Sequence, residues 1–405
     1  MYYFYFILHV LFISSYILLG VDYMRKMFFF IFLFCIYFFS FSVFAQEELI
    51  PNATSGILIE INSGKIIFEK EKDKEVSIAS LTKMVAQIII LEEIEKGSIK
   101  WNDMVTVSKN ASDMGGSQIY LEQGEKMSVE DLMKGISVAS GNDAVVAMAE
   151  FISGSEGKFV KRMNRTINKL GLKHTHFSNC TGLDEENHYS SAYDMAMIAR
   201  ELIMKHSEVL RFSSIYEDYL REDTERKFWL VNTNKLVSQY DGCDGLKTGH
   251  TDDAGYCLAA TSKRDSIRLI GIVLGEKDSK IRNSETINLL DYGFNNVKVN
   301  VLKRKGSIID YLSLEKANKK RVPITLRRDF VSIEGSTKKR KYQYKVKLNN
   351  YLLPIKKGTV IGKIQAFQNN RIISEEELVI GEDVRLLNYF ELFYNQLLDL
   401  LYGNI

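Results

Sequence analysis

The sequence predicts an α/β domain, a small all-β domain after it, and a C-terminal amphipathic helix. Strand-like segments lie on both sides of a long helical stretch, which indicates one sheet completed by segments that are distant in the chain. Near Asn295 the composition changes, and only short β-like runs follow. In the last twenty or so residues, polar side chains recur at helical spacing.

An export signal precedes these domains. The segment Met24–Ala45 has basic residues at its start, then a Phe, Ile and Leu-rich block, and small residues before Gln46, as a signal peptide does. We therefore expect a leader over residues 1–45, with the signal peptide at about 24–45, and an exported mature chain. Three alternatives stay open: Met24 as the true start, Met1–Leu19 as a second apolar span, and an uncleaved anchor in place of the signal peptide.

The first domain, predicted over residues 46–295, alternates between the two periodicities that distinguish strands from helices. Its helix starts carry capping residues and its hairpin carries turn residues. The predicted elements are a hairpin about Asn62-Ser63-Gly64, an apolar helix opened by Ser80 and ended near Gly97, helices capped by Ser128 with Asp131 and by Ser191 with Asp194, helices over Asp143–Ile152 and Glu156–Leu170, and two strands joined by the turn Lys263-Arg264-Asp265.

The second domain, predicted over residues 296–383, is strongly basic. The whole chain has a net charge of +2, but Val297–Asp383 contains 20 Lys and Arg against 9 Asp and Glu, a local charge of +11. Such a surface attracts polyanions. Because the chain is exported, we expect anionic lipid or a cell-wall polymer as the partner and not nucleic acid.

The cysteine and histidine patterns give no support for disulfides or metal. Cys180, Cys243 and Cys257 remain after the leader, and an odd number of cysteines cannot all pair within one chain. We expect Cys243 and Cys257 to be small core residues on neighbouring strands, although their positions also permit a redox pair. His174 and His176 lack a third ligand at suitable spacing, so a solvated turn is expected. No metal or organic cofactor is predicted.

The chemistry begins with a serine and a lysine three residues apart. The pattern S-x-x-K occurs at Ser80, Ser155, Ser313 and Ser336, so the pattern alone has little value. Only Ser80 begins a strongly apolar helix, where free backbone N–H groups stabilise negative charge. The spacing places the amine of Lys83 beside the hydroxyl. Burial would lower the pKa of that lysine and supply the neutral base that a serine nucleophile needs.

Two further motifs fit acyl transfer. The motif Ser140-Gly141-Asn142 lies between two predicted helices, although S-x-N also occurs at Ser108. Lys247-Thr248-Gly249 occurs once, on a predicted edge strand that leads into the final hairpin. A cation and a hydroxyl there can hold a substrate carboxylate, and the glycine allows the substrate backbone to approach closely. The three motifs in this order form a signature of penicillin-recognising serine enzymes.

With these motifs the chain resembles the D-alanyl-D-alanine carboxypeptidases, the low-molecular-mass penicillin-binding proteins. The resemblance covers most of the mature chain and includes "IASLTKMV", "SVASGNDAVVAMAEFISGSEGKFV", "LGLKHTHFSNCTGLD", "YSSAYDMAMIA" and "DGLKTGHTDDAGYCLAATS". It implies a penicillin-recognising serine transpeptidase-like domain with an antiparallel sheet and a helical subdomain. It also implies peptidoglycan stem pentapeptides as substrates, β-lactams as covalent inhibitors, and a peripheral location on the periplasmic face of the bacterial inner membrane.

The resemblance also assigns catalytic roles. Ser80 is implied as the nucleophile that attacks the peptide carbonyl between two D-alanines, with Lys83 as its general base. Ser140 is implied to pass a proton to the leaving amine, while Asn142 orients Lys83 and the substrate amide. The backbone N–H groups of Ser80 and His250 are implied to form the oxyanion hole.

A second group of residues is implied in substrate binding. Lys247 and Thr248, followed by Gly249, would bind the terminal carboxylate of the substrate. Arg282 lies where the family has a further carboxylate-binding arginine, but an ordinary cation is the alternative at this position, as an ordinary strand-end cation is for Lys247.

Other functions remain as alternatives. A β-lactamase shares the three motifs but needs a glutamate-activated water for deacylation, and no convincing Glu-containing loop lies between Asn142 and Lys247. A DD-endopeptidase acting on cross-linked peptidoglycan is closer, although the β domain and tail favour the carboxypeptidase. A non-catalytic cell-wall-binding protein would be expected to lack a motif residue, and all are present.

The tail, residues 384–405, is expected to form a membrane-association helix. The face of this helix away from its polar residues is almost wholly Leu, Phe and Tyr. The tail has a net charge of −1, so attraction to anionic lipid would come from the basic domain. A helix docked on its own protein or on a second subunit is the alternative, and the oligomeric state stays open. The polar residues at helical spacing are Arg385, Asn388, Glu391, Asn395 and Asp399.

Overall fold

The structure is a computed structural model that describes residues 48–265, 267–334, 342–368 and 371–401. The predicted leader, its cleavage site before Gln46, and the alternative start at Met24 lie outside these residues. Ser336, one of the four S-x-x-K serines, also lies outside them.

Strands lie at both ends of the first domain, in short pairs between its helices, and throughout the second domain. Those before residue 297 are β1 (Ser55–Glu60), β2 (Ile66–Lys70), β3 (Met104–Thr106), β4 (Lys126–Ser128), β5 (Glu217–Leu220), β6 (Phe228–Val231), β7 (Cys243–Thr251), β8 (Gly255–Arg264) and β9 (Ile267–Glu276). Those after it are β10 (Lys298–Lys303), β11 (Ile308–Ser313), β12 (Arg321–Leu326), β13 (Phe330–Glu334), β14 (Gln343–Leu348), β15 (Val360–Gln368) and β16 (Arg371–Ile380).

Helices fill the middle of the first domain and cover its sheet. A 3₁₀ helix spans Ala79–Thr82. The α-helices are α1 (Lys83–Lys96), α2 (Lys109–Ser112), α3 (Val129–Val138), α4 (Asn142–Ser153), α5 (Glu156–Leu170), α6 (Ala192–Lys205), α7 (Val209–Ser213), α8 (Leu236–Gln239), α9 (Ser279–Asn296) and α10 (Tyr389–Leu401).

The central sheet of the first domain has five antiparallel strands in the order β2-β1-β9-β8-β7. Ser55 in β1 faces Leu274 in β9, so segments more than 200 residues apart complete one sheet, as predicted. The turn between β8 and β9 comes later than predicted: β8 continues to Arg264, and Asp265 takes the left-handed φ of 51°. Strand β7 lies at the edge of the sheet, where one side of its backbone has no neighbouring strand among the described residues.

Two predicted caps are confirmed. The side-chain oxygen of Ser128 accepts a hydrogen bond from the backbone N–H of Asp131, and that of Ser191 accepts one from Asp194. Each bond satisfies an N–H group that has no partner within its own helix.

The start of the first helix differs from the prediction. Ser80 was expected to open the α-helix, but it lies in the 3₁₀ helix, and α1 begins at Lys83. The reason is the preceding turn: Ala79 takes a left-handed φ of 48°, so the chain enters through a tighter turn, and Ser80 forms no capping hydrogen bond. Helix α1 ends at Lys96, and the following Gly97, with a φ of 73°, gives the expected left-handed terminus.

Helix α1 is the centre of the hydrophobic core. Its residues from Met84 to Leu91 are all buried, which is why the sequence is apolar on every side of this helix. It contacts α4, α5 and α6, and α6 in turn packs on β1 and β9. The start of α1, with Lys83, is therefore fixed in the interior.

The second domain is all-β, as predicted. Strands β10 and β13 form one pair, and β11-β12-β16-β15-β14 form a five-stranded antiparallel sheet. Phe330, Val322 and Leu378 belong to its hydrophobic core. Helix α9 ends at Asn296, just before β10. The exact boundaries at 295 and 383 stay predictions.

The tail forms a shorter helix than expected. Val384 and Leu386 form β-bridges with Ile355 and Ala317 of the second domain, so α10 begins only at Tyr389. Much of the apolar surface of α10 faces solvent, with Phe390 81% exposed. Within the described ranges, every helix is too short or too polar to cross a membrane.

Candidate active site

A cleft of about 470 Å³ opens between the 3₁₀ helix, the turn before α4, strand β7 and the start of α9. A larger cavity of about 620 Å³ lies elsewhere and contains none of the predicted site residues. The predicted residues that line the cleft are Ser80, Ser140, Thr248, Gly249, His250 and Arg282. The remaining three, Lys83, Asn142 and Lys247, are buried.

Ser80 and Lys83 are in contact. The distance between Lys83 Nζ and Ser80 Oγ is 2.7 Å, a hydrogen-bond distance. The Ser80 hydroxyl also lies 3.4 Å from the carbonyl oxygen of Thr181. The lysine therefore reaches the serine from the protein interior, while the serine lines the cleft.

Lys83 has two more partners, both of which accept hydrogen bonds. Its Nζ lies 2.6 Å from Asn142 Oδ1 and 2.6 Å from the carbonyl oxygen of Thr181. The side chain is completely buried. Burial lowers the pKa of Lys83 to about 7, because removing a cation from water disfavours its charged form.

Asn142 is oriented by its second hydrogen bond. Its Nδ2 donates to the carbonyl oxygen of Gly115 at 2.7 Å, so its Oδ1 faces Lys83. Ser140 precedes it with a left-handed φ of 62°, which turns the chain between α3 and α4. The next residue, Asp143, accepts hydrogen bonds from the backbone N–H groups of Ile119 and Leu121, and so fixes the loop that contains these two residues to α4. The sequence interpretation assigned no role to that carboxylate.

Strand β7 carries the third motif along one side of the cleft. Thr248 Oγ1 donates to Thr233 Oγ1 at 2.7 Å, and Lys247 Nζ donates to the carbonyl oxygen of Thr248 at 3.0 Å. Gly249 is required by packing within the protein: a Cβ there would lie 2.8 Å from the carbonyl oxygen of Ile78. The glycine therefore lets β7 approach the segment that carries Ser80, a reason that the sequence interpretation did not include.

Three buried basic residues, Lys83, Lys247 and Arg282, lie at the cleft. Burial lowers the pKa of Lys247 well below its ordinary value, and the nearby cations Lys83 and Arg282 lower it further. Arg282 is buried in α9, and its guanidinium donates to Asn283 Oδ1 at 3.1 and 2.8 Å. His250 is exposed, and its ring centroid lies 4.0 Å from that of Tyr256.

The structure adds residues that the sequence interpretation missed. The carbonyl of Thr181 contacts both Ser80 and Lys83, and Thr233 contacts Thr248. Backbone carbonyls leave no signal in a sequence, and the segment "LGLKHTHFSNCTGLD" was recognised as a block without an assigned role. Among the described residues, no group of three His, Cys, Asp or Glu side chains is placed to hold a metal ion.

The described duplicates of the S-x-x-K and S-x-N motifs lie in other environments. Ser155 caps α5 by accepting from the N–H of Lys158, and Ser108 caps α2 in the same way. Ser313 is exposed at the end of β11. Cys243 and Cys257 are buried on the neighbouring strands β7 and β8, which confirms the prediction of core residues.

The two histidines considered as metal ligands lie in the segment between α5 and α6, where His176 forms a β-bridge with Tyr189. His174 Nδ1 is 3.0 Å from Glu75 Oε1, and His176 Nδ1 is 2.6 Å from the carbonyl oxygen of Asn187. His176 is exposed and the His174 side chain is 39% exposed, so both are solvated as expected, but the bridge replaces the predicted turn.

Comparisons with known proteins agree with this geometry. Residues 43–278 match the family described as D-alanyl-D-alanine carboxypeptidase, and residues 298–385 match the C-terminal domain of penicillin-binding protein 5. The chain is 42% identical to D-alanyl-D-alanine carboxypeptidase DacF of Bacillus subtilis over 85% of this chain and 90% of the relative. It is 36% identical to DacA of Escherichia coli, over 84% and 85%.

Solved structures show the same fold. The structure of penicillin-binding protein 5 from Haemophilus influenzae matches with a TM-score of 0.66 and 32% identity, over 82% of this chain and 98% of that one. The family match covers more than half of the chain, and the relatives align along most of it. The chain therefore belongs to the D-alanyl-D-alanine carboxypeptidase family of serine-type peptidases.

Proposed function

We propose that the protein removes the terminal D-alanine from peptidoglycan stem pentapeptides through an acyl-enzyme at Ser80. The observation that carries the proposal is the buried contact between Lys83 Nζ and Ser80 Oγ at 2.7 Å, beside an open cleft. A serine hydroxyl becomes a nucleophile when a base in hydrogen-bond reach accepts its proton.

The partners of Lys83 suit a neutral amine. A neutral amine has two N–H groups and one lone pair. Asn142 Oδ1 and the carbonyl oxygen of Thr181 accept only, so they take the two N–H groups. The lone pair then faces the hydroxyl of Ser80, which is the arrangement that a general base requires.

The reaction then proceeds by acylation of Ser80 and hydrolysis of the resulting ester. Ser80 Oγ attacks the carbonyl carbon between the two D-alanines while its proton moves to Lys83. The backbone N–H groups of Ser80 and His250 stabilise the oxyanion. When the peptide bond breaks, Lys83 gives that proton to Ser140 while Ser140 passes its own proton to the leaving amine of D-alanine, so Lys83 is neutral again. Water then attacks the ester and loses a proton to Lys83, which returns it to Ser80 Oγ as the shortened peptide is released.

The basic residues of the cleft favour a substrate with a free terminal carboxylate, since an anion there stabilises the charged forms that burial disfavours. We assign this recognition to Lys247, Thr248 and Arg282, since Thr248 and Arg282 line the cleft and Lys247 is buried beside Thr248. Among the described residues, the lining contains no Asp or Glu that would repel a carboxylate.

Replacing Arg282 with glutamine is expected to raise KM for the peptide by about 10- to 100-fold, since hydrogen bonds to charged groups contribute about 1.5–3 kcal/mol. Steady-state kinetics would compare substrates ending in D-alanine and in D-alanine amide. The wild type should prefer the free acid, and Arg282→Gln should lose that preference. Arg264→Gln is the control, because Arg264 stacks on Tyr240 and does not line the cleft. An unchanged preference in Arg282→Gln would contradict the assignment.

The same lining disfavours a β-lactamase. Rapid deacylation by the route considered above needs a glutamate that activates water, and none of the described residues in the cleft lining is acidic. We therefore expect β-lactams to acylate Ser80 and to stay attached for a long time.

The protein is proposed to work on the outer, periplasmic face of the cytoplasmic membrane, with α10 lying in the interface. Tyr389, Phe390 and Phe393 are exposed on α10, and aromatic residues favour the membrane–water boundary. The basic second domain supplies the attraction to anionic lipid that the acidic helix lacks.

Phe390→Asp is expected to reduce binding to vesicles that contain anionic lipid by at least about tenfold, since burying a phenylalanine contributes about 1.5–3 kcal/mol. Vesicle co-sedimentation of the full chain measures this. Asn388→Asp adds the same charge at the N-terminal cap of α10, where Asn388 Oδ1 already accepts a hydrogen bond from the backbone N–H of Glu391. This variant should bind nearly as well as the wild type. Equal binding by both variants would indicate that α10 docks on protein instead.

The function itself is tested by D-alanine release from a muramyl pentapeptide. The wild type should release D-alanine, and penicillin should block the release. A cross-linked muropeptide, tested in parallel, distinguishes an endopeptidase. Activity on the cross-linked substrate alone would replace the carboxypeptidase proposal, and inactivity on both would leave the wall-binding alternative.

A further inference from the structure

The peptide group between Ala79 and Ser80 is held from its carbonyl side. Ala79 has a φ of 48°, which is rare for a residue with a Cβ atom. Its carbonyl oxygen accepts a hydrogen bond from Thr82 Oγ1 at 2.8 Å. Gly182 packs against the same carbonyl, since a Cβ there would lie 2.0 Å from the oxygen. The carbonyl of Ala79 is thus fixed in a tight, buried position.

Thr82 is itself fixed by a buried histidine. Its Oγ1 lies 2.8 Å from His188 Nε2, and both side chains are buried. His188 Nδ1 accepts a hydrogen bond from the backbone N–H of Ser178 at 3.2 Å. Burial lowers the pKa of His188 to about 4, so the ring is neutral at pH 7. Because Nδ1 accepts, the single ring proton is on Nε2, and it is donated to Thr82.

These contacts determine which group donates and which accepts in each hydrogen bond of a chain of three bonds. Ser178 N–H donates to His188, His188 donates to Thr82, and the hydroxyl of Thr82 has only its own proton left to donate, to Ala79. In a trans peptide the C=O and N–H groups point in opposite directions. With the Ala79 carbonyl held inward, the N–H of Ser80 in the same peptide points away from Thr82.

We propose that Thr82 and His188 are positioning residues that hold the Ala79–Ser80 peptide so that the Ser80 N–H serves as an oxyanion-hole donor. The inference rests on the proposed acyl-enzyme at Ser80. The role is separate from that of Lys83, which contacts the side chain of Ser80 and not its backbone.

The expected size of the effect follows from the oxyanion hole. Removing one donor slows catalysis by about 10²–10³-fold in a comparable serine peptidase. Loss of the Thr82 hydroxyl would misalign the donor without deleting it. The expected loss in acylation rate is therefore about 10- to 100-fold.

The experiment compares Thr82→Val with Thr82→Ser in the full chain. Valine keeps the shape but removes the hydroxyl, whereas serine keeps the hydroxyl. The two readouts are the acylation rate with benzylpenicillin and the infrared stretching frequency of the penicilloyl ester carbonyl. A donor in the oxyanion hole lowers this frequency by polarising the carbonyl. Thr166→Val is the matched control, because Thr166 Oγ1 also donates to a backbone carbonyl, that of Arg162, in α5.

Thr82→Val should be acylated about 10- to 100-fold more slowly, with its ester carbonyl shifted to higher frequency. Thr82→Ser and Thr166→Val should keep the wild-type frequency and nearly the wild-type rate. A wild-type frequency in Thr82→Val would overturn the inference, whatever its rate, because slower acylation alone reflects general damage. If the wild type forms no adduct at all, the proposed acyl-enzyme fails and not merely the positioning role.

His188→Phe provides a second route if Thr82→Val does not fold, which thermal unfolding would reveal. Phenylalanine keeps the ring but removes the N–H donor to Thr82, so it should shift the carbonyl frequency in the same direction. The double variant should be no slower than Thr82→Val alone, because both changes act through one hydrogen bond. Additive losses, or an unshifted frequency in His188→Phe, would contradict the chain of bonds.

Discussion

Replacing Ser80 with alanine is expected to abolish the covalent penicillin adduct and to reduce D-alanine release by at least about 10⁴-fold. Loss of a serine nucleophile from a comparable catalytic site costs about 10⁶-fold in turnover. The alanine removes one oxygen from the lining of an open cleft, so the fold should remain stable. Gel-based labelling with fluorescent penicillin and an assay for free D-alanine measure the two effects.

Ser155→Ala is the matched control for this prediction. Ser155 is also a serine three residues before a lysine, but it caps α5 and lies outside the cleft lining. Its loss should leave labelling and D-alanine release intact and lower the free energy of unfolding by about 1 kcal/mol. Labelling that persists in Ser80→Ala would identify another nucleophile.

Lys83→Met and Lys83→Arg are both expected to slow acylation by penicillin by about 10²–10⁴-fold, the usual contribution of a general base. Methionine removes the amine, while arginine keeps the positive charge but cannot lose its proton. If Lys83 acted only through its charge, arginine would restore much of the rate. Thermal unfolding of both variants shows whether the changes are confined to the site.

The acylation rate of the wild type should depend on pH through Lys83. Its pKa of about 7 means that the neutral, basic form increases as the pH rises through 7. The rate should therefore rise from pH 5 to pH 8 and level off above. Stopped-flow measurements with a chromogenic cephalosporin give the profile. A rate that is flat over this range would indicate that another group accepts the proton of Ser80.

The sequence predicted the contact between Ser80 and Lys83 better than it predicted the local backbone geometry. The spacing of Ser80 and Lys83 and the burial of the following helix were enough to predict their contact, because a helix fixes neighbours three residues apart. The left-handed conformation of Ala79 was not predictable, since alanine rarely adopts it. It results from tertiary packing: Gly249 and Gly182 come from distant segments and leave room for that turn.

The groups missed by the sequence interpretation act through the backbone or over long range. The Thr181 carbonyl contacts Lys83 across about a hundred residues of chain, and any residue type can provide a carbonyl. His188 carries a side chain with obvious chemistry, but its contact with Thr82 depends on the path of the loop between α5 and α6. At the tail, periodicity predicted the helix but not its start, which is set by the bridges of Val384 and Leu386 to the second domain.

The acyl-enzyme at Ser80 is tested most directly by locating the penicillin adduct. The full chain would be treated with benzylpenicillin, quenched in acid and digested, and the modified peptide sequenced by tandem mass spectrometry. We predict one adduct per chain, on Ser80, formed by the wild type and absent from Lys83→Met at matched times. An adduct on Ser140 or on any other residue, with Ser80 unmodified, would contradict it.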